Sequence, residues 1–193
     1  MVFNTPKRIK GLTLVELLIA AALLGFVMLT LGYIFINHFK FFQDQSALIT
    51  ITEDNKVVLD EMINQIRESQ SIVASCTPCG PDTTGANLII LQIWPLNATN
   101  EPFDGGTNFD YIQYKRDATD NTILKKIVYP TATSTRSSLN KIVATRVSDL
   151  TFTYNNATPA QATEVTAKIK LSATTGSKTQ DIEREATALL RNK

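Results

Sequence analysis

From residue 17 to residue 39 the chain carries no Asp, Glu, Lys or Arg, and only Asn37 and His38 near the end of that run are strongly polar. A run of that length reaches across a hydrocarbon core of ~30 Å, for which about 20 helical residues suffice. A cleavable secretory signal has a shorter apolar core, ~7–15 residues, and ends in a small-x-small site, which fits this stretch poorly. Lys7, Arg8 and Lys10 stand directly before the run, and such cations stay on the cytoplasmic side. The N-terminus is therefore expected inside the cell and everything after about Lys40 outside. One residue stands out. In KGLTLVELLIAAALLGF, Glu16 places a carboxylate where a central charge costs about 2.5–3.5 kcal/mol, and less near an interface. It is either an interfacial residue at the shallow end of an anchor or a charge kept for a partner.

The helix is expected to continue past the membrane. No proline lies between Pro6 and Pro78, and Leu48, Ile51, Val58, Leu59, Met62, Ile63, Ile66 and Val73 recur at helical spacing. Glu53, Asp54, Lys56, Asp60, Glu61 and Arg67 lie between them, giving one wet face and one buried face. The spacing predicts a helix from about Leu12 to Val73, with Gly25 and Gly32 as weak points.

At its start this helix carries Gly11-Leu12-Thr13-Leu14-Val15-Glu16-Leu17-Leu18-Ile19, which resembles the cleavage and methylation motif of type IV prepilins and pseudopilins. The resemblance rests on a short basic leader, Gly at the cut, an apolar first mature residue, Glu as the fifth mature residue and an unbroken apolar helix. It implies cleavage between Gly11 and Leu12 by an aspartyl prepilin peptidase on the cytoplasmic face of the inner membrane, and N-methylation of Leu12. Leu12 stands where Phe is commoner in the family. The new α-ammonium, of pKa ~8, then lies one turn from Glu16, and in a stack of subunits it also meets the Glu16 of a neighbour. Pairing of that kind selects register, since an unpaired charge in a low-dielectric bundle is strongly penalised.

After Val73 the pattern changes to short apolar or alternating runs separated by turn residues. Residues 88–94 (LIILQIW), 109–114 (FDYIQY), 123–129, 141–147, 150–154, 165–171 and 181–190 read as strands. In the sixth, Val165, Ala167, Ile169 and Leu171 face one way and Thr166, Lys168 and Lys170 the other. Gly176 then makes a hairpin with the last strand. The reading is α+β: a long N-terminal helix, its first half transmembrane, its second half packed against an antiparallel β-sheet. With 193 residues, 44% hydrophobic and 19% charged, the chain suffices for one domain with a real core plus an appendage. The expected division is a cleaved leader at 1–11, a transmembrane and assembly helix at 12–40, its amphipathic continuation at 41–75, and a globular extracytoplasmic β-rich domain at 76–193. The missing proline about twenty residues into the mature helix, and the order IVATRVSDLTFTY, VTAKIKLS, ATALLRNK, are similar to J-type minor pseudopilins and W-type minor pilins. That resemblance implies a minor subunit at or near the filament tip.

Other residue groups have readings of their own. Cys76 and Cys79 form the only cysteine pair, and outside the cytoplasm a disulfide closing the end of the long helix is the leading reading. A redox pair, free thiols and a bond to another chain are the alternatives, and a βαβ context for thioredoxin-like chemistry is not visible. The pair cannot supply four zinc ligands, because His38 is remote. Glu101, Asp104 and Asp110 around Gly105-Gly106 read as an acidic turn, with Ca²⁺ as the alternative, although the spacing is not that of an EF-hand. Lys115-Arg116, Lys125-Lys126, Arg136, Lys141 and Arg146 read as a solvated surface, with a DNA-contacting stripe as the alternative; adjacent strand residues point to opposite faces. Nothing global points to nucleic acid at a formal net charge of +1. The lone His and the lack of a nucleophile motif or phosphate loop argue against an enzyme. No cofactor is called for. The Asn97-Ala98-Thr99 and Asn156-Ala157-Thr158 sequons receive no role. The functional expectation is a structural subunit of a type IV pilus or type II secretion-like filament, with other pilin or pseudopilin subunits as partners. A membrane-tethered binding or redox module is the alternative.

Overall fold

The computed structural model describes residues 13–176 and 178–190. Its first element is a helix, α1 (Leu14–Glu68), and eight strands follow. The chain divides into two compact units after Gln45, within the span of α1, so the membrane-type stretch and the folded unit Ser46–Lys193 are described in turn. In the first, every residue from 13 to 43 is exposed. Among the described residues it is the one segment long and apolar enough to cross a membrane.

In the second unit, α1 buries Ile51, Asn55, Val58, Leu59, Met62, Ile63 and Ile66. These positions fall at helical spacing on one stripe, as the sequence pattern requires, while Glu53, Asp54, Lys56 and Asp60 stay exposed. Fully burying each such apolar side chain contributes about 1.5–3 kcal/mol, so this stripe carries much of the helix-to-sheet attachment. The helix ends at Glu68, earlier than the expected Val73. Ser69 is the reason: buried, it donates from Oγ to the Ile66 carbonyl at 2.6 Å and satisfies an orphan carbonyl of the last turn. Gln70 N–H already bonds the Gln92 carbonyl at 2.8 Å, which commits the chain to a sheet.

One antiparallel sheet was expected and there are two. The first runs β1 (Ser71–Ile72), β2 (Leu88–Ile93), β3 (Asp110–Arg116), β4 (Leu124–Tyr129) and β5 (Leu139–Ala144) in sequence order. The second contains β6 (Val147–Tyr154), β7 (Glu164–Thr175) and β8 (Lys178–Leu189). The segment 141–147, expected as one strand, holds the division. Arg146 adopts φ +63°, the left-handed region that a strand cannot continue through. Its carbonyl accepts from Ser172 N–H at 2.9 Å, and Val147 N–H reaches Thr122, so the chain leaves one sheet and starts the other. The β7–β8 hairpin is as expected, with Gly176 at φ +61° in its turn.

Both sheets bury one face against the same helical stripe. Ile89, Leu91, Ile93, Ile112, Leu124 and Val128 from the first join Leu150, Phe152, Val165, Ala167, Ile169 and Leu171 from the second in one core. Asn55 fastens the helix to the second sheet by donating from its amide to the carbonyls of Ile169 (3.2 Å) and Ile182 (2.9 Å). Glu61 fastens it to β4 by an ion pair with Lys126 at 2.8 Å. Truncating Met62, which is fully buried, to Ala is expected to lower unfolding free energy by about 2–5 kcal/mol. The same change at the exposed Val57 stays within about 0.5 kcal/mol. Chemical denaturation of the full chain in detergent measures both.

Candidate assembly site

Gly11 and Leu12 lie outside the described residues. Immediately beyond them, Thr13 and Glu16 lock the first turn of α1. Thr13 donates to one Glu16 oxygen, Oε2, from both its backbone N–H and its hydroxyl, each at 2.9 Å. Glu16 N–H returns a bond to Thr13 Oγ1 at 3.3 Å, and Leu17 N–H closes the first helical bond on the Thr13 carbonyl at 3.1 Å. This is a capping box: two otherwise orphan amides at the helix start are satisfied reciprocally. The sequence signal was present as Thr-x-x-Glu, although Glu16 read alone drew attention only to charges outside the turn. Glu16 Oε1 accepts no hydrogen bond from any described residue, so half of the carboxylate remains available to a donor. Around it Leu14, Val15, Leu17, Leu18 and Ile19 are all more than half exposed. One carboxylate with an oxygen that no described residue occupies thus stands on an apolar helix surface that no described residue covers.

A family model describing the prokaryotic N-terminal methylation motif matches residues 6–32. The chain therefore carries a prokaryotic N-terminal methylation motif, which supports a type IV pilin-like precursor. The match ends within α1 and does not reach the strands. No curated protein and no solved structure matches the chain at the significance required. The motif and the apolar helix together point to a membrane-anchored structural subunit of a filament.

The remaining candidates are placed by the second unit. Cys76 and Cys79 are joined as a disulfide. The bond does not close the end of the helix, as the sequence had suggested; β1 intervenes, and the two cysteines pack on Ile90, with Val73, Leu88, Tyr111 and Tyr129 around them. This explains why β2 is apolar on both faces: Ile89, Leu91 and Ile93 face the helix, and Ile90 faces the disulfide. Both cysteines are buried, at 7% and 5% exposure, where a reactive redox pair needs an accessible thiolate.

Asp110, one of the three acidic-turn residues, is fully buried and already engaged. Its oxygens accept from Thr131 N–H (2.8 Å), Ser134 Oγ (2.7 Å) and Arg136 Nε (2.9 Å), drawing the β4–β5 loop onto β3. Asp104 accepts from Gly106 N–H, and Glu101 from Thr99. Gly105 makes that turn feasible, since a Cβ there would collide with the Asn108 carbonyl and the Pro95 ring. Among the described residues no three His, Cys, Asp or Glu side chains are grouped to hold a metal ion.

The basic residues do not form a free stripe. Lys115 pairs with Asp82, Lys125 with Asp117, Lys126 with Glu61, Arg136 with Asp110, and Arg146, at 3.9 Å, with Asp54. Arg116 donates to the Asn121 carbonyl. Lys125, with the N–H groups of Asp120 and Thr119, holds the Asp117 carboxyl at about 2.

Asp82 belongs to the disulfide loop, and Lys115 and Gln113 hold it to β3; Lys115 is the main cause of its carboxyl lying below the ordinary range. A carboxyl depressed in the folded state adds stability that is complete above its unfolded pKa, about 3.9, and disappears as the pH falls through the folded value. Asp82→Asn is therefore expected to lower unfolding free energy by roughly 0.5–1 kcal/mol at pH 7. The difference from wild type narrows as the pH falls below the unfolded value of about 3.9. Denaturant titrations across pH 2.5–7 check it, and a gap that persists undiminished at the acid end would contradict the assignment.

Proposed function

We propose that this chain is the precursor of a minor pilin or minor pseudopilin, processed by a prepilin peptidase and assembled through its N-terminal helix with other pilin or pseudopilin subunits. The leader, residues 1–11, is removed between Gly11 and Leu12 on the cytoplasmic face, and Leu12 is N-methylated. Residues 12–40 then hold the subunit in the inner membrane with its N-terminus inside, and the β-rich part lies outside until the subunit enters a filament.

The observation that carries this reading is the state of Glu16. Before cleavage, Thr13 satisfies one carboxylate oxygen, which lowers the cost of holding the charge near apolar surroundings. Cleavage creates an ammonium within a turn of the other oxygen. In a stack of helices that oxygen can accept from its own N-terminus or from a neighbour's, and an uncompensated carboxylate is the alternative. Favourable assembly and correct stagger therefore coincide. Support for a minor subunit comes from the helix lacking a proline near Tyr33 and from the order of the late strands.

Co-expression with a prepilin peptidase is expected to remove the eleven leader residues and add one methyl group at Leu12, both read from intact mass. An unprocessed chain that still functions would sink the proposal. Glu16→Ala is expected to be cleaved and membrane-inserted yet lost from the sheared filament fraction. Incorporation at wild-type levels would refute the pairing role.

A further inference from the structure

The two sheets of the unit Ser46–Lys193 have four edges, and they differ. β1 is only two residues long. β6 is tied at both ends: Phe152 N–H bonds the Ala86 carbonyl at 2.6 Å and Val147 N–H the Thr122 carbonyl at 2.8 Å. β5 is six residues long and shifts register against β4. β8 is twelve residues long and pairs with β7 without a register break. Two residues separate Thr175 from Lys178 at the turn, so those two bond one another through their backbones, and so does every second pair beyond them. The N–H and C=O groups of Gln180, Ile182, Arg184 and Ala186 thus turn to β7. Those of Asp181, Glu183, Glu185 and Thr187 turn outward, and no backbone group of the described residues meets them. A long regular edge of this kind is a template for another strand.

The side chains on this edge select what it can accept. The solvent face of β8 carries Asp181, Glu183 and Glu185, opposite Ser172, Lys170 and Lys168 of β7. Lys170 pairs with Asp181 and Lys168 with Glu183, which leaves Glu185 without an ion pair among the described residues. Asp149 and Glu164 share that face, so acid exceeds base on it. The residues whose backbones point outward are therefore the ones that carry the negative charge, and a strand bonded to them sets its own side chains directly opposite these acids. A second copy does not fit. A two-fold β8–β8 contact centred anywhere from Asp181 to Glu185 opposes acid to acid. β5 of a second copy brings no cation to this face, because Lys141 stands opposite Lys126, whose bond to Glu61 of α1 places both on the helix side of their sheet. Arg184, exposed on the face of β8 that bears Ile182 and Ala186, disfavours a base at the positions between. Leu189, 65% exposed, ends the outward row and favours an apolar neighbour.

We propose that β8 accepts, as a further antiparallel strand, an extended segment of a different subunit whose alternate residues are basic. Facing Leu189, Thr187, Glu185, Glu183 and Asp181 in turn, that segment reads apolar, polar, basic, basic, basic at every second position, with uncharged residues between. Backbone hydrogen bonds supply the attachment. Glu185 supplies most of the preference, because no lysine on its own sheet offsets it by an ion pair. The contact uses this edge once and joins the chain to one neighbour of another kind, so it builds no series of copies. The inference rests on the reading of the chain as a minor filament subunit and names the chemistry of its neighbour.

The test uses the full chain in detergent and two fluorescent nine-residue peptides, VTTTKTKTK and VTTTETETE. The basic peptide is expected to bind about tenfold tighter than the acidic one, read by fluorescence anisotropy at low salt. Glu185→Lys is expected to remove that preference. Thr187→Pro keeps the charge and removes one outward N–H, a change that an edge strand tolerates, and is expected to weaken the basic peptide on the order of tenfold. Peptide N-methylation separates strand addition from charge attraction alone. Methyl groups on the lysine nitrogens, which face β8, abolish binding, whereas methyl groups on the threonines between them leave it in place. Equal affinity for the two peptides, or equal effects of the two methylation patterns, would overturn the proposal. Because binding is read on the isolated chain, the result does not depend on assembly. Intact leader processing and filament incorporation without any peptide preference would remove the strand contact and leave the subunit reading standing.

Discussion

The folded unit depends on burying one helical stripe. Ile51, Val58, Leu59, Met62, Ile63 and Ile66 are the apolar residues against which both sheets close, and without that stripe neither sheet has a covered face. A sheet needs an apolar face covered, for example by a packed helix, to be stable on its own. Each sheet here is stabilised because its alternating residues meet the same helix. The position of α1 on the two sheets is fixed by polar fasteners: the Asn55 amide on the carbonyls of β7 and β8, and Glu61 on Lys126 of β4. Apolar contact alone tolerates sliding, whereas a buried amide that must find particular carbonyls does not.

The outer side of the first sheet is organised by a different device. The disulfide loop covers Ile90, and Asp82 ties the same loop to Lys115 and Gln113, so a covalent link and a charged hydrogen-bond pair hold one segment in place. At the opposite end of β3, Asp110 gathers the β4–β5 loop through Thr131, Ser134 and Arg136. In both places an acid that could be read as a ligand for a cation is used to position a loop. The buried Asp110 illustrates why: a carboxylate withdrawn from water needs donors, and its neighbours supply three.

The N-terminal helix stretch follows another logic. Its exposed apolar side chains have no cover among the described residues, and the Glu16 carboxylate is half satisfied by Thr13. A capping box is an ordinary way to start a helix. Here it also keeps a charged residue compatible with apolar surroundings while leaving one oxygen open. Local helix chemistry and the needs of association thus meet in the same four residues.

Much of this was legible in the sequence, because it depends on short-range pattern. The uncharged run, the T-x-x-E spacing, the helical recurrence from Ile51 to Ile66 and the alternation from Val165 to Leu171 each follow from the geometry of a single element. Six of the seven expected strands lie close to observed ones for the same reason, whereas 141–147 spans the break between β5 and β6. Decisions between distant segments were not legible. Helical spacing alone could not tell that Ser69 would stop α1, since the stop depends on Gln92 being near enough to capture Gln70. The split into two sheets at Arg146 rests on bonds to Ser172 and Thr122. The burial of Asn55 and Asp110 requires partners more than twenty residues away in the chain. Sequence by itself determined the elements and the character of the N-terminus, because those rest on neighbours within a turn or a strand. Only the tertiary structure decided which polar residues are buried and paired and which sheet edges stay open, because both depend on groups that folding alone brings together.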